Sequence, residues 1–447
     1  MRTTPPEVPA DPQAIGVQAH FTSDASSCTP RQAILDALGY ARRLAMGGEV
    51  VDVHITLFSI TDQLLAAALL ELARDCPLLS LRILCDWCQG GPGSGRLIQS
   101  VLRLSLPNLE VRFKKDQPYL YDADTQSLKW SYKASRGLLH HKMLSVNRSG
   151  RPVLLAFGSY NWTARAAQQS YENLLVLRDD QPSRRAVMVR YELEFRELWC
   201  SPAASLSSQR SQEAAAHILS MYTKRPSTAP QSIAMEAFGD RGRLPPHLLD
   251  DLGQHELIEQ DTRIAFSFRA CDSSTPTHGM AAINHAQRFD LTKPSGRVKS
   301  VPLSMTVLSL DVIHRALQGE RLLVAMFAFS RRVAEFSALL DAARRGVRIQ
   351  VLTDRRTSAG FLREMGRHRD LQITIKTGQR FMHQKYVVHP ASNTVVSGTA
   401  NFTTDSLKRH AENRVLFNYD AKLCRAFEAD FRRIWARLDR YRPSARH

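Results

Sequence analysis

The 447-residue chain has no apolar run long enough to cross a bilayer: its longest, at 64–72, is broken by Glu71 and falls well short of the roughly 20 residues a membrane helix needs. Any membrane contact is therefore expected to be peripheral. Cysteine is scarce, with seven residues scattered at 28, 76, 85, 88, 200, 271 and 424, an odd number without the spacing of a disulfide framework. That pattern predicts reduced thiols and a cytoplasmic protein. Cys85 and Cys88 form a lone C-x-x-C with no second pair at zinc-like spacing, so no metal site is expected and the pair reads as a strand end. The stretch 1–6 lacks the apolar core of a secretory signal. Acidic groups are in deficit as well: 43 Asp and Glu against 60 Lys and Arg give a formal charge of +17. Such an excess favours polyanionic partners, nucleic acid or an anionic lipid surface, without choosing between them.

What is present is organised as two copies. His140-His141-Lys142, Gly158-Ser159-Tyr160-Asn161-Trp162-Thr163 and Glu172-Asn173 recur in the same order as His383-Gln384-Lys385, Gly398-Thr399-Ala400-Asn401-Phe402-Thr403 and Glu412-Asn413. The offset is 243 residues at the histidines and 240 at both the asparagines and the glutamates. A near-constant offset across a polar set marks internal duplication. The flanks agree: apolar runs at 50–58, 80–86 and 109–114 match those at 322–330, 346–354 and 371–376. Tyr191, Phe195 and Trp199 match Phe427, Phe431 and Trp435 at an offset of 236. Each copy alternates strand and helix, which predicts parallel pairing and an α/β sandwich. Thr29-Pro30 signals one helix start, a cap followed by proline in the first turn, with Ile34, Leu35, Leu38 and Ala41 at helical spacing behind it.

These elements divide the chain into a disordered tail at 1–16, an N-terminal lobe at 17–204, a linker at 205–261 and a C-terminal lobe at 262–447 with an insertion near 271–302. The first copy carries 19 more residues between Lys114 and His140 than the second does between Lys376 and His383. They include Tyr119, Tyr121, Trp130 and Tyr132 with Lys115, Lys129, Lys133 and Arg136, a mixture suited to base stacking and phosphate pairing. A hairpin that packs its aromatics on the body of the protein explains the same residues. The glycine-rich run at 90–96 lacks the Gly-Lys-Ser/Thr ending of a phosphate loop and reads as a turn.

A histidine two residues before a lysine in an extended segment places both on one strand face, so His140 pairs with Lys142 and His383 with Lys385. A neutral imidazole can attack phosphorus or, once protonated, donate a proton near neutral pH, and the lysine offers charge to phosphate oxygens. Asn161 and Asn401, on the strand and turn that follow, can donate to a phosphoryl oxygen. Glu172 and Glu412 are suited to accept from the second nitrogen of a histidine and fix its tautomer. His141 is expected on the opposite strand face. An in-line displacement needs a nucleophile on one side and an acid on the other, and two copies of one unit supply both.

These motifs resemble those of the phospholipase D superfamily, H-x-K-x-x-x-x-D followed by G-[ST]-x-N-x-T, across both halves. The resemblance implies a duplicated phospholipase D-like α/β/α sandwich, two lobes related by a pseudo-twofold axis, with one site between them. It further implies phosphodiester cleavage or transfer through a phosphohistidine, without metal or organic cofactor. Carried over by position, His140 and His383 are the catalytic pair, Lys142, Asn161, Lys385 and Asn401 hold the phosphate, and Ser159, Thr399, Glu172 and Glu412 support them. The aspartate of the family motif is replaced by Asn147 in the first copy and Pro390 in the second. Nucleic acid is the expected substrate. The alternatives are a phospholipase or phosphatidyltransferase acting on phospholipid, and a catalytically weak nucleic-acid-binding protein.

Overall fold

The computed structural model describes residues 16–24, 28–90, 96–104, 106–114, 119–122, 127–130, 137–179, 182–200, 262–267, 288–378 and 381–441. The expected tail, the linker at 205–261, the start of the insertion at 271–287 and the glycine-rich run 91–95 lie outside them. So do Lys115, Tyr132, Lys133 and Arg136 of the basic and aromatic insert.

Two mixed sheets form the body of the protein. The first has seven strands in the order Gln18–Phe21, Asn173–Arg178, Arg151–Gly158, Lys142–Arg148, Val51–Leu57, Ser80–Asp86 and Leu109–Lys114. The second has eight: Thr262–Phe266, Asn413–Phe417, Thr394–Gly398, Lys385–His389, Arg321–Met326, Arg348–Thr353, Ile373–Thr377 and Asp439–Arg440. Strand–helix alternation predicted parallel pairing, and that holds only where helices intervene, for the last three strands of the first sheet and their counterparts in the second. The motif strands are antiparallel. Lys142–Arg148 turns directly into Arg151–Gly158 through Ser149 and Gly150, both at positive φ, and so tight a connection cannot make a parallel crossover.

Side chains alternate between two cores with the strand period of two. Leu154 and Ala156 face the outer helices Pro30–Met46 and Gln63–Asp75, whereas Leu155 and Phe157 face a core that both lobes share. In the second lobe Val387 and Val396 point outward, and Tyr386, Val388 and Val395 inward. Helices Pro182–Cys200 and Ala421–Arg437 supply the rest of the shared core, through Tyr191 and Phe195 from one and Phe427 and Phe431 from the other. Thr29 caps the first outer helix, accepting from Gln32 N at 3.2 Å, as the Thr-Pro pair predicts.

The lobes also meet through backbone. Phe381–Met382 pairs with Ser170–Tyr171, and Leu139 bridges Ala411. The first-copy insert holds a two-stranded hairpin, Tyr119–Asp122 against Ser127–Trp130. The later insertion ends in a second one, Arg288–Thr292 against Val298–Pro302, whose Phe289 and Leu291 join the outer core of the second lobe.

Gly158 and Gly398 end the strands that lead into the site, at φ 153° and 158°. A Cβ would stand 2.5 Å from Asn173 O at the first and 2.3 Å from Asn413 O at the second, because two successive N–H groups converge on that carbonyl in each lobe. Gly398→Ala is therefore expected to cost roughly 1–3 kcal/mol, the usual range for overpacking. Thermal denaturation checks it, and an unchanged midpoint would refute the argument.

Candidate active site

The site lies where the parallel strands of each sheet end at their carboxyl termini and the histidine motifs begin. His140 and His383 stand just before strands Lys142–Arg148 and Lys385–His389, not within them. Their positions are set by the opposite lobe. His140 N donates to Ala411 O at 3.0 Å, and His383 N donates to Tyr171 O at 3.1 Å. The next residue in each case is a glutamate, and it takes the ring: His140 Nδ1 lies 2.9 Å from Glu412 Oε2, and His383 Nδ1 lies 2.9 Å from Glu172 Oε2. The sequence predicted that a glutamate would serve each histidine; the structure shows that it comes from the other copy. The two rings then meet edge-on, with centroids 6.3 Å apart and planes inclined by 75°.

Each lysine folds back beside its histidine. Lys142 Nζ donates to His140 O at 2.6 Å, and Lys385 Nζ donates to His383 O at 2.5 Å. Ser159 Oγ accepts from Asn173 N at 2.9 Å and Thr399 Oγ1 from Asn413 N at 3.0 Å, pinning the strands that carry the two glutamates. Asn161 and Asn401 sit in the turns after those glycines, and the threonines that follow, Thr163 and Thr403, cap the next short helices. Asn401 Oδ1 accepts from Ala328 N at 3.2 Å, which leaves its amide N–H groups as donors. Asn161 Oδ1 is buried with no partner among the described residues.

Burying this many charges moves their protonation. Burial, against Glu412, holds His140 down to about 4, and burial with Lys385 and Lys142 holds His383 well below the ordinary imidazole value. Burial also lowers Lys142 to about 8 and Lys385 to about 7, opposed by the two glutamates. Glu412, despite burial, is pulled to about 2 by His140 and Lys142, whereas burial pushes Glu172 up to about 8 against Lys385. Ser406 Oγ donates to Glu412 Oε1 at 2.9 Å; the matching position beside Glu172 is Ala166, and there Ser159 supplies a side-chain hydrogen bond instead. The two half-sites are alike in geometry.

Several residues around the site were not singled out from the sequence. Phe58 lies 5.4 Å from His140 and Phe327 lies 4.9 Å from His383, ring to ring, and each also flanks its lysine. Each directly follows one of two matching strands, Val51–Leu57 and Arg321–Met326. His410, two residues before Glu412, lies 6.3 Å from His140 and accepts from Leu138 N at 3.1 Å. His141 points away, into contacts with Glu194 and Asn413. The departures from the family motif lie at the far ends of the motif strands. Asn147 sits at a β-bulge, its Nδ2 3.4 Å from Asp52 O, and Pro390 opens a short 3-10 turn closed by Asn393 at φ 50°.

Two α/β lobes that each bring a histidine, a lysine and an asparagine to one cleft are the architecture of a phosphodiester-cleaving enzyme. The chain belongs to the phospholipase D superfamily: the family model described as "Cardiolipin synthase, PLD-like domain" matches residues 49–199 and 310–435. Over 155 residues the chain is 32% identical to the mitochondrial cardiolipin hydrolase of Mus musculus, covering 33% of this chain and 66% of the mouse protein. Over 140 residues it is 30% identical to the protein of the same name from Homo sapiens, covering 29% of this chain and 52% of the human protein. The chain thus spans between half and two thirds of those relatives' length. Among solved structures it is similar to phosphatidylserine synthase from Haemophilus influenzae Rd KW20, with a TM-score of 0.54 and 11% identity over 95% of this chain and 87% of that one. That likeness concerns the fold alone.

Glu412→Gln and Glu172→Gln are each expected to lower kcat by roughly 10²- to 10⁴-fold, the usual contribution of a positioned acid or base, with a smaller effect on KM. Steady-state hydrolysis of bis(p-nitrophenyl) phosphate measures it. Full activity in either variant would remove the cross-lobe glutamates from the mechanism.

Proposed function

We propose that the chain cleaves phosphodiester bonds in nucleic acid, DNA or RNA, through a covalent phosphohistidine formed on one of His140 and His383. The other histidine protonates the leaving oxygen, and water then attacks the phosphohistidine with the roles reversed. Lys142, Lys385, Asn161 and Asn401 carry the charge of the phosphoryl group in the transition state.

The observation that carries the nucleic-acid reading is the basic and aromatic insert in a chain of formal charge +17. The insert leaves the sheet at Lys114, returns at Gly137, three residues before His140, and is tied across its base by Lys114 Nζ donating to Gly137 O at 3.2 Å. A segment rooted there can deliver bases and backbone to the cleft. A second reading, cleavage of a phospholipid, is supported by the names of the matched mitochondrial cardiolipin hydrolases.

The deciding experiment incubates pure protein, in EDTA, with labelled single- and double-stranded DNA and RNA and with vesicles of phosphatidylcholine and cardiolipin, alongside His140→Ala and His383→Ala. Cleavage of nucleic acid by the wild type alone is the expected result. Cleavage confined to vesicles favours the lipid reading, and activity that requires added metal or survives in both variants sinks the mechanism.

The pH dependence follows from the same groups. Where His140 is the attacking group its imidazole must be neutral, which sets an acid limb near about 4. The lysines must be charged, so kcat/KM falls again as Lys385 at about 7 and Lys142 at about 8 lose their protons. A bell-shaped profile between those limits is expected. An alkaline limb near the ordinary lysine value would contradict it.

A further inference from the structure

The repeated residues of the site cannot tell one end of a substrate from the other, because each lobe contributes the same set. Discrimination has to come from positions where the copies differ. Four residues after the motif asparagines the first copy has Arg165 and the second Asp405, a reversal of charge. Two residues before the histidines stand Leu138 and Phe381. Arg165 and Phe381 belong to different lobes, yet they meet: the guanidinium carbon lies 4.8 Å from the centroid of the Phe381 ring. Phe381 in turn stacks on His383, with centroids 5.2 Å apart and an interplanar angle of 18°. Backbone pairing of Phe381 with Ser170 fixes this stack.

Arg165 is exposed on the first turn of helix Ala164–Gln169, and among the described residues its N–H groups have no hydrogen-bond or carboxylate partner. A guanidinium lying on an aromatic face keeps its edge donors available and loses little conformational freedom when it binds. Its fork matches a phosphate in two parallel hydrogen bonds. On the opposite side Asp405 is ion-paired with Arg409 at 3.1 Å and offers an anion no welcome.

We infer that Arg165 and Phe381 form a subsite for a second phosphate of the substrate, adjacent to the one being cleaved, on the His383 side of the cleft. This rests on the phosphodiesterase reading and deepens it: the preferred substrate is a diester with another phosphate close by on one side. A nucleic-acid strand, with about one charge per 3.4 Å of rise, provides this. So does a lipid that carries two phosphates.

The test compares thymidine dinucleotides with no terminal phosphate, a 5′-phosphate or a 3′-phosphate, using wild type, Arg165→Ala and Arg165→Lys. Bis(p-nitrophenyl) phosphate serves as a reference for the chemistry. The readout is the ratio of kcat/KM for the phosphorylated and plain dinucleotides within each protein, so a general loss of activity cancels. One terminal phosphate, and not the other, should raise the wild-type value roughly tenfold or more, the size of a charge-assisted hydrogen bond. Arg165→Ala should bring the ratio to about one, and Arg165→Lys should retain part of it. Equal gains from both ends, no gain from either, or a ratio unchanged in Arg165→Ala would overturn the subsite. If the reference diester is cleaved and the dinucleotides are not, the nucleic-acid reading fails on its own. The ratio is then taken for cardiolipin over phosphatidylglycerol, where equality between wild type and Arg165→Ala overturns the subsite as well.

Discussion

Two histidine–glutamate hydrogen bonds that cross between the lobes, His140 with Glu412 and His383 with Glu172, govern the rest of this structure. All four residues are buried, and so are Lys142 and Lys385 beside them. A buried carboxylate without its partner is strongly unfavourable, by several kcal/mol in proteins generally. Each glutamate also bonds a histidine of the other lobe, so the lobes meet where the two motifs lie. The shared core of Tyr191, Phe195, Phe427 and Phe431 supplies the apolar burial for that contact, and the histidine–glutamate hydrogen bonds set its register.

Duplication explains the frame and stops short of explaining what surrounds it. The same bonds recur in both halves to within about 0.1 Å for histidine to glutamate, lysine to histidine carbonyl, and hydroxyl to strand. The differences sit one layer out: Ser406 against Ala166, His410 against Ser170, Arg165 against Asp405. A symmetric nucleus with an asymmetric surround suits a reaction whose two steps are alike and whose substrate has two different ends.

The sequence made the repeat, the motif residues and the helix caps legible, because each depends on local spacing: Thr29 before Pro30, His140 two before Lys142, Gly158 before Ser159. It predicted parallel pairing too widely, since the strand–helix signal of the outer strands says nothing about Lys142–Arg148 and Arg151–Gly158, which are joined by a tight turn. Which glutamate serves which histidine was not legible at all. Offsets of 240 and 243 residues fit pairing within a lobe as well as between lobes, and only the docking of the sheets decides. Phe58 and Phe327 escaped for a related reason: a phenylalanine at a strand end reads as core until the strand end is known to border a cleft.

The backbone contacts of the histidines carry a consequence for how such a chain can change over generations. His140 N is held by Ala411 O and His383 N by Tyr171 O, so the geometry of each reacting ring is stored in the peptide backbone of the other half. A substitution that shifts either short strand is felt first by a histidine more than two hundred positions away. The two halves, once copies, are therefore not free to diverge independently near the cleft, and tolerated changes there will tend to arise in matched pairs.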